Sequence, residues 1–278
     1  MRGDEELRGT WRRRGQMRLR LLLRWLRPLL MELRYLLSAM GYFTRIPVPR
    51  WVGYEAYYLN ASARYFPLVG ALVGALGAVV YLGALRLWPA NVAVLLSLAA
   101  TLLVTGAFHE DGLADSVDAF GGAYTRDDTL RIMHDSRIGA FGALALLVVL
   151  GLKWQVLAAL PPARAAWLMI GAHAASRMGA ISYLLTLDYV RPEGRAKPVA
   201  QRLSWRAMAW AGSTGGLWLL WPDWRMGLVA LLVLLLLRIG LGRYFVRRLG
   251  GYTGDCLGMA QQVFELAIYL VGLAWISS

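Results

Sequence analysis

Seven apolar stretches follow one another along this 278-residue chain, near 66–87, 91–108, 139–160, 164–187, 206–221, 224–243 and 257–276. Each is long enough, or nearly so, to cross a hydrocarbon layer of about 30 Å, which takes about twenty residues of helix. The expected fold is therefore all-α, a polytopic integral membrane helix bundle with about seven transmembrane helices. The fifth stretch is the weakest, thinned by Gly212, Gly215 and Gly216, although Trp205, Trp210, Trp218 and Trp221 have the character of interfacial anchors. Composition agrees, with 58% hydrophobic and 17% charged residues, where soluble chains carry about half and a quarter. Gly70, Gly74 and Gly77 predict a close helix contact in the first span. The single cysteine, Cys256, excludes an intrachain disulfide and a Cys-cluster metal site.

Ahead of the spans lies a different kind of chain. Residues 1–18 carry Arg2, Arg8, Arg12, Arg13, Arg14 and Arg18 and are expected to form a disordered basic arm against anionic headgroups. Residues 19–64 are apolar but broken by Arg24, Arg27, Pro28, Glu32 and Arg34, which suits an amphipathic interfacial helix better than a signal sequence or a span. Residues 65–278 form a single transmembrane catalytic domain on this reading. The net charge of +13 sits in loops and in the arm, so the partners it favours are membrane lipid and anionic substrates, not nucleic acid.

Alternating the spans across the membrane puts 1–64, 109–138, 188–206 and 243–255 on one side, with 24 of the 30 Lys and Arg residues. The links around Arg86, Pro161–Arg164 and Trp221–Arg225 carry three. That asymmetry orients the long loops towards the cytoplasm and predicts a multi-pass inner-membrane protein with its site on the cytoplasmic face.

Seven of the seventeen acidic residues fall between positions 109 and 138. Asp111, Asp115 and Asp118, at helical spacings of four and three, stack on one face if this stretch is helical. Unpaired carboxylates so placed repel one another, and a hard cation such as Mg²⁺, shared with substrate phosphates, would hold them. A solvated acidic turn is the alternative. His109, beside them, could orient a carboxylate, bind phosphate or take a proton. Cationic groups complete the set on the same side: Arg137 after Asp135 and Ser136, Arg177 inside the fourth span, then Arg191, Arg195 and Lys197. A charge within a span is costly and usually functional or paired. Acid for metal and base for phosphate suit displacement at a diphosphate.

Residues Thr105–Asp118, which read TGAFHEDGLADSVD, and Ile132–Gly142, which read IMHDSRIGAFG, resemble the cobalamin synthase family, the adenosylcobinamide-GDP ribazoletransferases. Supporting matches are Phe43–Pro49, Phe66–Gly70, Ser176-Arg177 and Gly251–Gly258. The resemblance covers most of the chain. It implies an Mg²⁺-dependent membrane transferase that joins adenosylcobinamide-GDP to α-ribazole, or its 5′-phosphate, and releases GMP. Its protein partners would be a second copy of the chain or other cobalamin-assembly enzymes. Asp111, Asp115, Asp118, Asp135, Arg137 and Asp255 fall on the family's pattern. Glu110 stands where the family often has an apolar residue, Ala119 where Gly is usual and Gln262 where an acid is common. The candidate catalytic residues are thus His109, Asp111, Asp115, Asp118, Asp135 and Arg137. Asp111, Asp115 and Asp118 are the metal ligands, and Arg64, Ser136, Arg177, Lys197, Thr253 and Asp255 bind substrate.

Two rivals stay open. A CDP-alcohol phosphotransferase also places helical aspartates behind an apolar segment, but its Arg would be expected at Asp115 and its second Asp-Gly pair is missing. A transporter would prefer acidic groups at the membrane midplane, where the spans here are almost free of carboxylates.

Overall fold

The computed structural model describes residues 27–53, 55–191 and 202–277. The expected basic arm, and Arg195 and Lys197, lie outside them. Helix α1 occupies 27–43 and presents Leu29, Leu30 and Leu33 outward while Tyr35, Ala39 and Phe43 turn inward. The short α2 (Ala56–Ser62) leads through a 3-10 turn into α3 (Phe66–Ala84). Then follow α4 (Ala90–Thr105), α5 (Phe108–Gly122), α6 (Arg126–Ile132), α7 (Ala140–Ala159), α8 (Pro162–Ile181), α9 (Tyr183–Thr186), α10 (Trp205–Leu220), α11 (Trp224–Leu249) and α12 (Gly254–Ser277). Among the described residues there is no strand, only an isolated bridge between Tyr189 and Tyr252. The all-α membrane bundle expected from the sequence is the fold observed.

Helix α8 is the axis of the bundle, buried without a break from Gly171 to Arg177 and packed against α3, α10, α11 and α12. Its neighbour α3 comes unusually close. A Cβ on Gly70 would run into the His173 carbonyl, and one on Gly74 into that of Met169. Small residues at these positions are what let two backbones meet. The outer helices have the opposite character: α7 turns Leu144, Leu147 and Val148 outward, and α11 turns out Leu228, Leu232, Leu235 and Leu236.

Four helical stretches are long and apolar enough to cross a membrane: Tyr57–Ala84, Ala140–Ala159, Trp224–Leu249 and Gly254–Ser277. A fifth arises if α4 and α5 count as one span bent by 88°. The described residues therefore carry fewer qualifying spans than the seven expected. The stretch at 164–187 became α8 and α9, and α8 faces protein on nearly all sides, which frees it to be rich in Ala and Gly and to hold His173 and Arg177. The stretch at 206–221 became α10, only 16 residues long.

Candidate active site

The acidic segment is helical, and it leaves the direction of the spans. Gly106 (φ 66°) and Ala107 (φ 55°) take successive left-handed conformations. For alanine that conformation costs about 1–2 kcal/mol. Together they end α4, turn the chain by 88° and restart it as α5. The turn is buttressed from α1's exit, where the Arg45 N–H donates to the Val104 carbonyl at 2.7 Å. With α4 along the bundle, α5 lies across its end.

On α5, Asp111 is exposed and Asp115 half-buried. Burial, then the charges of Asp111 and Asp255, push the Asp115 carboxyl up to about 7, with Arg191 opposing. Asp255, in the first turn of α12, pairs with Arg191 at 2.9 Å. Asp111, Asp115, Asp255 and Arg191 thus form one electrostatic group, three carboxylates against one guanidinium. This is the condition under which a hard cation is favoured. Among the described residues no three His, Cys, Asp or Glu side chains gather closely enough to hold a metal by themselves. Mg²⁺ often takes only one or two carboxylates and fills its shell with water and substrate phosphates, so Asp111 and Asp115 fit it chemically.

Asp118 is engaged elsewhere. Its carboxylate accepts from the Gly139 N–H at 2.7 Å and the Gly142 N–H at 2.8 Å. These amides begin α7, whose unpaired N–H groups and dipole favour an anion. A Cβ on Gly139 or Gly142 would overlap the carboxylate, so glycine at both places is what lets it in. In this arrangement Asp118 ties α5 to α7, a role distinct from the metal ligation expected of it.

The other candidates are spread out. Asp135 and Arg137 pair with each other in the exposed loop before α7, at 2.6 Å. That hydrogen bonding holds the Asp135 carboxyl down to about 2. Ser136 between them is exposed. Thr253 is buried and its hydroxyl accepts from the Cys256 N–H, capping α12. Cys256 is fully buried and packs. Arg64 pairs with Glu32 of α1 at 2.5 Å and lies over the rings of Tyr35 and Tyr65, away from the acidic group. His109 is buried with its ring stacked on Phe43 at 5.2 Å. Two positions before Asp111, it faces nearly the opposite side of α5.

Sequence reasoning missed a polar network inside the bundle. Lys153 of α7 and Glu265 of α12 are 2% and 1% exposed and pair at 2.7 Å. Lys153 also donates to Gln262 Oε1 at 2.8 Å, and Gln261 donates to Glu265 at 2.6 Å. Gln262 Nε2 donates to Glu110 Oε1 at 2.8 Å. Two positions that depart from the family's pattern, Glu110 and Gln262, are therefore hydrogen-bond partners. On α8, Arg177 NH1 donates to the His173 carbonyl at 2.9 Å, while Arg177 Nε is buried without a partner. Arg177 does not pair with Asp188, which engages Arg202. The bundle interior is thus not free of carboxylates, and a charge at position 153 or 265 within an apolar run was the signal that could have flagged it.

With this geometry in view, the chain's relatives identify its family. An adenosylcobinamide-GDP ribazoletransferase of Ralstonia pickettii (strain 12J) is 60% identical over 244 residues, covering 87% of this chain and 95% of that protein. The protein of the same name from Shewanella frigidimarina (strain NCIMB 400) is 45% identical over 257 residues, covering 91% and 97%. No solved structure matches the chain. The profile of the family described as cobalamin-5-phosphate synthase matches residues 35–273. The match takes in every element from the inner half of α1 to most of α12, and the chain belongs to that family.

Proposed function

We propose that this protein is a membrane transferase that joins adenosylcobinamide-GDP to α-ribazole, or to its 5′-phosphate, and releases GMP. The observation that carries the chemistry is the group Asp111, Asp115 and Asp255 around a carboxyl raised to about 7, in a chain whose relatives bear the ribazoletransferase name.

Asp111 and Asp115 would hold Mg²⁺, and Asp255 keeps Arg191 beside them. Bound there, Mg²⁺ would offset the charge of the diphosphate oxygens. Arg191 adds a guanidinium on the same side, suited to a phosphate of the donor or of the departing GMP. The ribose 3′-hydroxyl of the acceptor attacks the cobinamide-side phosphorus. A new P–O bond forms, the P–O bond to GMP breaks, and the hydroxyl proton passes to a carboxylate of the group. Direct displacement is preferred because neither Cys256, which is buried, nor Ser136, in the exposed loop, is set against a base of the group. The excess of Lys and Arg in the site-side loops supports a cytoplasmic orientation in the inner membrane. The reading is tested by supplying purified protein with both substrates and Mg²⁺, with a CDP-activated alcohol donor as the control. Turnover of the control and not of the corrinoid would sink it.

A further inference from the structure

Segments far apart in the sequence meet at one apolar recess beside the acidic group. Phe43 reaches it from the end of α1, Phe66 from the start of α3, His109 from the start of α5, Arg177 from α8 and Gly254 from the start of α12. It encloses about 530 Å³ of empty space, part of it open to solvent. Its wall is aromatic. Phe43 meets Phe66 edge-on at 4.3 Å and Phe108 edge-on at 5.4 Å, and stacks on His109. Two buried polar atoms on residues that line it, Arg177 Nε and the Tyr252 hydroxyl, have no hydrogen-bond partner. Orphaned donors in an apolar wall cost stability unless something supplies an acceptor.

The occupant must then be flat, mostly apolar and equipped with one or two acceptors. A guanine ring fails, because its several edge donors and acceptors would go unpaired here. An acyl chain fails because it brings no acceptor. A corrinoid macrocycle with its amide arms is too large. α-Ribazole carries a dimethylated benzimidazole, a planar ring with one unsubstituted nitrogen, and this meets each requirement. We propose that the recess seats the aromatic base of the acceptor nucleoside, with Arg177 Nε donating to its free ring nitrogen. The inference rests on the acceptor named under Proposed function. Its position suits the chemistry: Gly254, which lines it, immediately precedes Asp255, and Gly258, which also lines it, packs against Gly112 at the crossing of α5 and α12.

The experiment varies both substrates against the purified full chain in lipid vesicles, with benzimidazole as a probe and Ala180→Phe as a variant that fills the recess, since Ala180 lines it. Benzimidazole should inhibit competitively against α-ribazole and not against adenosylcobinamide-GDP. Ala180→Phe should raise KM for α-ribazole by about tenfold or more, the scale of a lost apolar subsite, with KM for the nucleotide substrate unchanged. Inhibition that is not competitive with α-ribazole, or a variant that raises KM for the nucleotide substrate instead, would overturn the assignment. If Ala180→Phe does not fold, the inhibition pattern of the wild-type protein decides. If the wild-type protein has no such turnover, the functional reading fails, and equilibrium dialysis of benzimidazole judges the recess separately: binding lost in Ala180→Phe supports it, and no wild-type binding refutes it.

Discussion

Replacing Asp118 should separate architecture from catalysis within one row of aspartates. Its carboxylate accepts two backbone N–H groups, from Gly139 and Gly142, at 2.7 and 2.8 Å. A hydrogen bond to a charged group contributes about 1.5–3 kcal/mol. The site is only partly buried, so the two bonds together are worth about 3 kcal/mol, and Asp118→Ala forfeits that while leaving the N-terminus of α7 bare. At about 2–4 °C per kcal/mol for a chain approaching this size, the melting temperature in detergent should drop on the order of 5–10 °C. Asp111→Asn and Asp115→Asn remove no such bond and should melt near the wild-type temperature, yet lose at least about a hundredfold in turnover. Thermal unfolding followed by intrinsic tryptophan fluorescence, paired with turnover on the same samples, reads both quantities. An Asp118→Ala protein that melts like wild type but has lost Mg²⁺-dependent turnover would refute the architectural role and return Asp118 to the metal.

The Asp115 carboxyl gives a pH dependence with a definite sign. Its folded value of about 7 lies above its ordinary value, so without divalent cation the fold binds the extra proton and loses stability as pH rises from about 4 to about 7. Mg²⁺ needs the deprotonated form, and its stabilising effect on the melting temperature should be larger at pH 8 than at pH 6; the reverse order would contradict this. Lys153→Met should destabilise by about 3 kcal/mol, because buried Glu265 loses the ammonium paired with it at 2.7 Å. Lys153→Met with Glu265→Leu should recover part of the loss, and a double variant worse than the single one would count against the pairing. Single cysteines at Thr125 and Ala163, both exposed, should react with an impermeant thiol reagent from opposite sides of the membrane, Thr125→Cys from the cytoplasm. Labelling of Thr125→Cys in intact cells would invert the proposed orientation.

The parts of this molecule that were legible in the sequence are those encoded locally. Apolar runs announced the helices, the 111, 115 and 118 spacing announced a shared face, and Gly70 and Gly74 announced the close approach of α3 to α8. Long-range pairing was not legible. Nothing near Asp118 says that its oxygens meet amides 21 and 24 residues on, and nothing near Arg64 says that Glu32 holds it. Lys153 and Glu265 were hidden because hydropathy averaged over a span swamps one charge with its apolar neighbours. Among the described residues the length and hydropathy of the helices support four or five spans and leave the seven expected unconfirmed, since α8 lies inside the bundle and follows the chemistry of a protein core. The recess at the crossing of α5 and α12 draws on five separate segments, each flagged for its resemblance to a family and none pointing by itself to a cavity.

The account turns on the acceptor and donor being joined at the α5 carboxylates. The direct measurement is release of GMP by the purified protein in lipid vesicles given adenosylcobinamide-GDP, α-ribazole and Mg²⁺, followed alongside formation of the corrinoid product. GMP should appear in equal amount to product, stop when Mg²⁺ is chelated, and be absent in Asp111→Asn. GMP release that continues without α-ribazole, or that survives in Asp111→Asn at limiting Mg²⁺, would contradict it.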